Sequence, residues 1–131
     1  MAQISKRKLN EDIQSKMFEM FLSSFAKCEN DEELMAYLSD ILTETEAVVM
    51  AKRLAIALML SKGYGYVQIC DLLKVSPPTV SKVKTWLDLR GDGFRAVLKK
   101  VLEDKETEDF WIGLYKLHDR EKKLVGLGKK R

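Results

Sequence analysis

The only prolines in this 131-residue chain are adjacent, Pro77 and Pro78, and apolar residues recur at helical spacing on either side of them. Proline interrupts a helix and restricts the residue before it, so a chain with all its prolines at one point is free to be helical nearly everywhere else. No alternating β-branched run offers a strand. The expected fold class is all-α, with six or seven helices. Hydrophobic residues at 46% and charged residues at 33% suit a globular domain that buries its own core.

Asn10 is placed to cap a first helix whose apolar stripe is Ile13, Met17, Phe18, Met20, Phe21 and Phe25. Asn30 or Asp31 caps a short second one carrying Leu34, Met35, Leu38 and Ile41. Thr43 followed by Glu46 is a capping box, and Gly63 supplies the stop of a helix expected to be the longest in the chain. Its apolar residues, from Val48 to Leu60, go nearly all round, which calls for cover on most faces, including cover from a second subunit. Gly91-Asp92-Gly93 is read as a break, Phe94 to Leu102 as a sixth helix, and Phe110, Trp111, Leu114 and Leu117 as one face of a seventh. The closing GLGKKR reads as frayed.

Several function classes find no support. One histidine, His118, and two cysteines, Cys28 and Cys70, without a CxxC spacing argue against a zinc site, and no metal site is expected. No Ser/His/Asp or Cys/His set and no Gly-rich phosphate loop is present, so no catalytic residue is assigned. Lys52-Arg53 interrupts the longest central apolar run, which argues against a membrane span, and Glu11-Asp12 follows the basic N-terminus where a signal peptide needs an apolar stretch. The expected location is the cytoplasm, with no membrane partner. Charge is uneven: residues 1–42 carry 5 basic and 8 acidic groups, residues 95–131 carry 11 and 7. An acidic front and basic rear are compatible with a DNA-facing end and equally with solvated surface.

The sharper signal is YGYVQICDLLKVSPPTVSKVKTWLDL, helix, stop and helix within a few turns. A helix-turn-helix needs a small residue in its first helix, a short turn, and apolar anchors in the second. Cys70, Lys74, and Val80 with Val83 stand at those places, Ser76 can cap the second helix, and Pro77 suits its first turn. Lys74 departs from the glycine favoured where φ is positive. With the valines turned inward, Pro78, Thr79, Ser81, Lys82 and Lys84 face outward or flank. Short hydroxyls suit base edges and lysines suit phosphates. The competing reading is a helical protein–protein interaction module that keeps the motif only as packing. Recognition of RNA ranks below both, because no aromatic platform is visible; Tyr64 and Tyr66 read as braces of helix ends, and Trp111 as core or dimer contact.

The segment LTETEAVVMAKRLAIALMLSKGYGYVQICDLLKVSPPTVSKVKTWL resembles the tryptophan repressor family, well from Ile41 to about Phe94 and more loosely on both flanks. The resemblance implies a domain over residues 1–104, with the helix-turn-helix at about 66–87, and a basic helical extension over 105–131 outside it. It further implies an intertwined homodimer that places two recognition helices in successive major grooves of a double-stranded DNA operator, as a transcriptional regulator of repressor type. Its base contacts carry over to Pro77, Pro78, Thr79 and Ser81, with Tyr66 and Val67 contributing from the preceding helix.

Members that bind tryptophan hold the indole between two arginines and the carboxylate near a threonine. Thr43 and Arg53 match two of those positions, Lys82 replaces the second arginine, Val83 stands for a glycine, and Trp86 for a small polar residue. The pocket implied is narrowed, so L-tryptophan is disfavoured as corepressor and no cofactor is expected. Arg53 has a second reading as a structural arginine paired with an acid, and Trp86 as plain core.

Overall fold

Seven helices follow one another in a computed structural model that describes residues 7–129, with the backbone alone for Arg90 and residues 121–129. They are α1 (Glu11–Ala26), α2 (Asp31–Ile41), α3 (Glu44–Ser61), α4 (Tyr66–Leu73), α5 (Pro77–Arg90), α6 (Asp92–Val101) and α7 (Lys105–Lys129), and no described residue is in a strand. The chain divides within α3, after Ala51, into two compact units.

In the first unit, local polar chemistry fixes the helix starts. The Asn10 side chain accepts from the Asp12 and Ile13 amides, and Asn30, not Asp31, caps α2 by accepting from the Glu33 amide at 2.8 Å. The capping box of α3 closes both ways: the Thr43 N–H donates to Glu46 Oε1 at 2.9 Å, and the Glu46 N–H to Thr43 Oγ1 at 3.1 Å. Hydrogen bonding from Thr43, its backbone amide first and its side-chain hydroxyl second, holds the Glu46 carboxyl below the ordinary glutamate range. The α1 and α2 helices meet where the Ser24 and Tyr37 hydroxyls lie 2.6 Å apart and the Phe25 ring sets its edge to Tyr37. Yet no residue from 7 to 51 is buried. The expected stripe is half-covered only at Phe21 and Phe25, while Met20 is 71% exposed. An apolar groove of about 720 Å³, lined by Phe25, Leu34, Met35, Leu38, Leu42 and Met50, opens in this unit.

The second unit holds the core. Ile56 and Met59 of α3, Ile69 of α4, and Val80 and Val83 of α5 are fully buried, joined by Leu98 of α6 and Leu114 of α7. Each such side chain contributes about 1.5–3 kcal/mol on leaving water. Gly63 ends α3 at φ +87°, a conformation that costs an L side chain and suits glycine. At the α5–α6 corner Gly91 is needed for space: a Cβ there would stand 2.3 Å from the Leu87 carbonyl oxygen.

Four details differ from the sequence expectation. The longest helix is α7, with 25 residues against 18 in α3. A helix once nucleated gains one bond per added residue, so Gly126 and Gly128, at about 1 kcal/mol each relative to alanine, do not end it. The GLGKKR end is therefore helical through Lys129, its last two residues lying outside the described ones. The break at 91–93 is confined to Gly91, because Asp92 already begins α6 and supports its first turn as an acid. The α3 helix is buried over Ile56–Met59, and Val48, Val49, Met50 and Leu54 stay substantially exposed in the single chain.

Candidate nucleic-acid interface

The interface is built from α4, a three-residue turn and α5. The turn works because Lys74 adopts the left-handed conformation, φ 56° and ψ 55°, and its amide and that of Val75 both return to the Cys70 carbonyl. Cys70 itself is half-buried beside the core. Ser76 then caps α5, with its Oγ accepting from the Thr79 amide, and Pro77 and Pro78 fill the first two helical positions. Val80 and Val83, at 0% and 1% exposure, fasten α5 to the core.

This start has an unusual property for a helix N-terminus. Such ends ordinarily present unpaired amides. Here Pro77 and Pro78 have none, the Thr79 amide bonds to Ser76, and the Val80 amide to the Ser76 carbonyl at 3.3 Å. The end of α5 therefore offers proline rings and hydroxyls, with no main-chain donor in its first turn. The Ser76 and Thr79 hydroxyls bond to one another at 2.9 Å, and each keeps further hydrogen-bonding capacity.

The expected base- and phosphate-facing residues fall on this surface. Ser76, Pro77, Pro78, Ser81, Lys82 and Lys84 are exposed and Thr79 is half-buried. Tyr66 and Val67 open α4, and Val67 is 74% exposed. Lys84 is held by Asp88 one turn on, at 3.2 Å.

The residues considered for an effector pocket lie in the following surroundings. Arg53 and Trp86 come together, the guanidinium carbon 5.3 Å from the ring centroid. Val83 is turned into the core, Lys82 faces solvent, and the Thr43 hydroxyl is engaged by its capping box.

Two further residues, not found by reading the sequence, fix the motif. Lys52 of α3 donates from Nζ to the Lys74 carbonyl at 3.3 Å, tying the turn to α3 and placing a cation at the C-terminus of α4. Trp111 of α7 stacks on Tyr64, whose aromatic ring precedes α4. Tyr64 does brace a helix end, as expected, whereas Tyr66 is 37% exposed. Their partners are 22 and 47 residues away in sequence, beyond any local spacing rule.

Two helices joined by a left-handed turn, the second anchored by buried valines and capped by serine, make a helix-turn-helix on an all-helical frame. The sequence model of the Trp repressor protein family matches residues 16–102, and the chain belongs to that family, a DNA-binding regulatory family and not an enzymatic one. The chain is also 30% identical, over 98 residues, to the uncharacterized protein YerC of Bacillus subtilis (strain 168), the match covering 75% of this chain and 91% of that protein. No solved structure matches it. Among the described residues no helix is long and apolar enough to cross a membrane.

Proposed function

We propose that the protein is a homodimeric transcriptional repressor that reads double-stranded DNA with α5. The observation that carries the reading is the division of α5 into two faces. Val80 and Val83 are sealed in the core, while Thr79, Ser81, Lys82 and Lys84 follow a proline-opened first turn along the outer side. The hydroxyls and the proline rings are the base-reading groups, and the lysines meet phosphates. Tyr66 and Val67 of α4 contribute to the same reading surface. Selecting duplexes from a random pool with the full chain tests it. One preferred operator should emerge, bound with a steep salt dependence. Thr79→Ala should then weaken that operator by about 1–3 kcal/mol relative to random duplex. A pool that returns no preferred duplex and no salt dependence would favour the helical interaction module instead.

The dimer rests on the first unit. A unit in which no described residue is buried, and in which Ile13, Met17, Phe18, Met20 and Leu22 are all about half-exposed or more, is short of cover. Apolar surface of that extent marks an interaction face. A second copy supplies the missing cover and brings the second reading helix that a two-fold operator needs. Light scattering at micromolar concentration should give twice the 15.1 kDa chain mass, and a stable folded monomer would overturn the dimer.

For the effector, Arg53 against Trp86 favours a regulator that needs no small molecule. The indole of the chain's own Trp86 occupies the arginine face on which a ligand ring would stack, and Lys82, lacking a planar guanidinium, makes a poor second wall.

A further inference from the structure

The family match ends at residue 102, and Trp111 lies beyond it in α7. Its ring is stacked on Tyr64, with centroids 5.9 Å apart and planes at 14°. The Lys62 ammonium lies 5.6 Å from the Trp111 ring centroid. Lys62 and Tyr64 flank Gly63, the only glycine at positive φ among the described residues. One indole thus holds the residues on both sides of the α3–α4 turn.

That turn needs an outside hold. It contains two glycines, Gly63 and Gly65, the residues with the greatest backbone freedom. The indole's own position is fixed from below. Leu114, three residues on, is buried in the core, and the Thr107 hydroxyl donates to the Val101 carbonyl at 2.6 Å, setting the angle at which α7 leaves α6. The α4 helix has eight residues, about 12 Å of length. A tilt of about 10° at its entrance moves its far end by about 2 Å, more than a hydrogen bond to a base edge tolerates.

We propose that Trp111 is a positioning residue for DNA reading: it clamps the α3–α4 turn and so sets the pose of the helix-turn-helix from outside the family-matched segment. This rests on the DNA reading of α5 given above. Two measurements on the full-length protein test it. In hydrogen exchange, Trp111→Ala should speed exchange of the amides of residues 64–73 at least tenfold, with residues 94–101 unchanged. In duplex binding, the same variant should lose about tenfold for the selected operator, with random duplex and the salt slope as in the parent. Trp111→Phe, which keeps a stacking ring, should recover most of both.

Should Trp111→Ala fail to fold, Tyr64→Leu, which removes the stacking partner and keeps apolar bulk, decides by the same readouts. Parent-like exchange and parent-like operator affinity in a folded variant would overturn the clamp, as would equal losses on operator and random duplex. A parent that selects no duplex overturns the DNA reading and with it the role proposed for Trp111. The exchange result then reports separately whether the turn is clamped.

Discussion

The Arg53 guanidinium carbon lies 5.3 Å from the centroid of the Trp86 ring, joining α3 to α5. A contact of this kind contributes about 0.5–2 kcal/mol, depending on how far water is excluded. Because it is made within the chain, ligand-free protein already has it. Calorimetry with millimolar L-tryptophan should give no binding heat, and operator affinity should be the same with and without it. Measurable heat together with tighter operator binding would sink the idea.

Lys84 and Asp88 form an exposed i,i+4 pair on α5, and on the proposed reading DNA phosphate would compete with Asp88 for the lysine. Exposed pairs are worth at most about 1 kcal/mol, so phosphate can displace the carboxylate. Lys84→Ala should weaken all duplexes alike and lower the salt slope by about one unit. Asp88→Asn should act in the opposite direction, tightening binding at low salt. Titrations at several salt concentrations read both effects, and a flat response in both variants would place Lys84 off the DNA.

Gly91 stands where a Cβ would meet the Leu87 carbonyl oxygen at 2.3 Å, and the Arg95 side chain donates to that same oxygen. Gly91→Ala must push α6 away from the end of α5. The expected loss is about 1–3 kcal/mol in denaturant unfolding, as for other overpacked sites. Gly93→Ala, with open space around it, should unfold much like the parent, and a similar loss in both would argue against the steric account.

Glu46 links stability to acid. Its folded carboxyl titrates below the ordinary range because the ionised form accepts the Thr43 amide. The carboxylate half of the capping box therefore contributes fully above the unfolded glutamate range, and that contribution is lost as pH falls through the lowered folded value. Glu46→Gln should unfold with a weaker pH dependence between neutral and acid conditions than the parent. Identical pH profiles would show that the capping bond does not bear on stability.

What the sequence made legible is what neighbours in the chain decide. Caps at Asn10, Asn30, Thr43 and Ser76 depend on residues two or three positions on, and the inward valines of α5 follow from helical period alone. The positive φ of Lys74 was readable for the same reason, from its place between two patterned helices. The hold of Lys52 on the turn and of Trp111 on Tyr64 was not, because each is set by how whole helices pack. Lys52 and Trp111 carry no distinguishing neighbours, and a lysine or tryptophan on a helix is compatible with many surroundings. The GLGKKR end, expected to fray as chain ends do, continues as helix to Lys129 because a helix already formed gains a bond with each added residue.

The amide-free start of α5 bears on how such a protein can be retargeted. A reading end that gripped DNA through its backbone would keep that grip whatever side chains it carried, and its preference would resist redesign. Here Pro77, Pro78 and the Ser76 cap silence the main chain, so on the proposed DNA reading discrimination between bases would be left to interchangeable side chains such as those of Thr79 and Ser81. Residues 79 and 81 would thus form a small cassette, in which new specificities are reachable by substitution alone while the two prolines and the buried valines keep the scaffold that presents them.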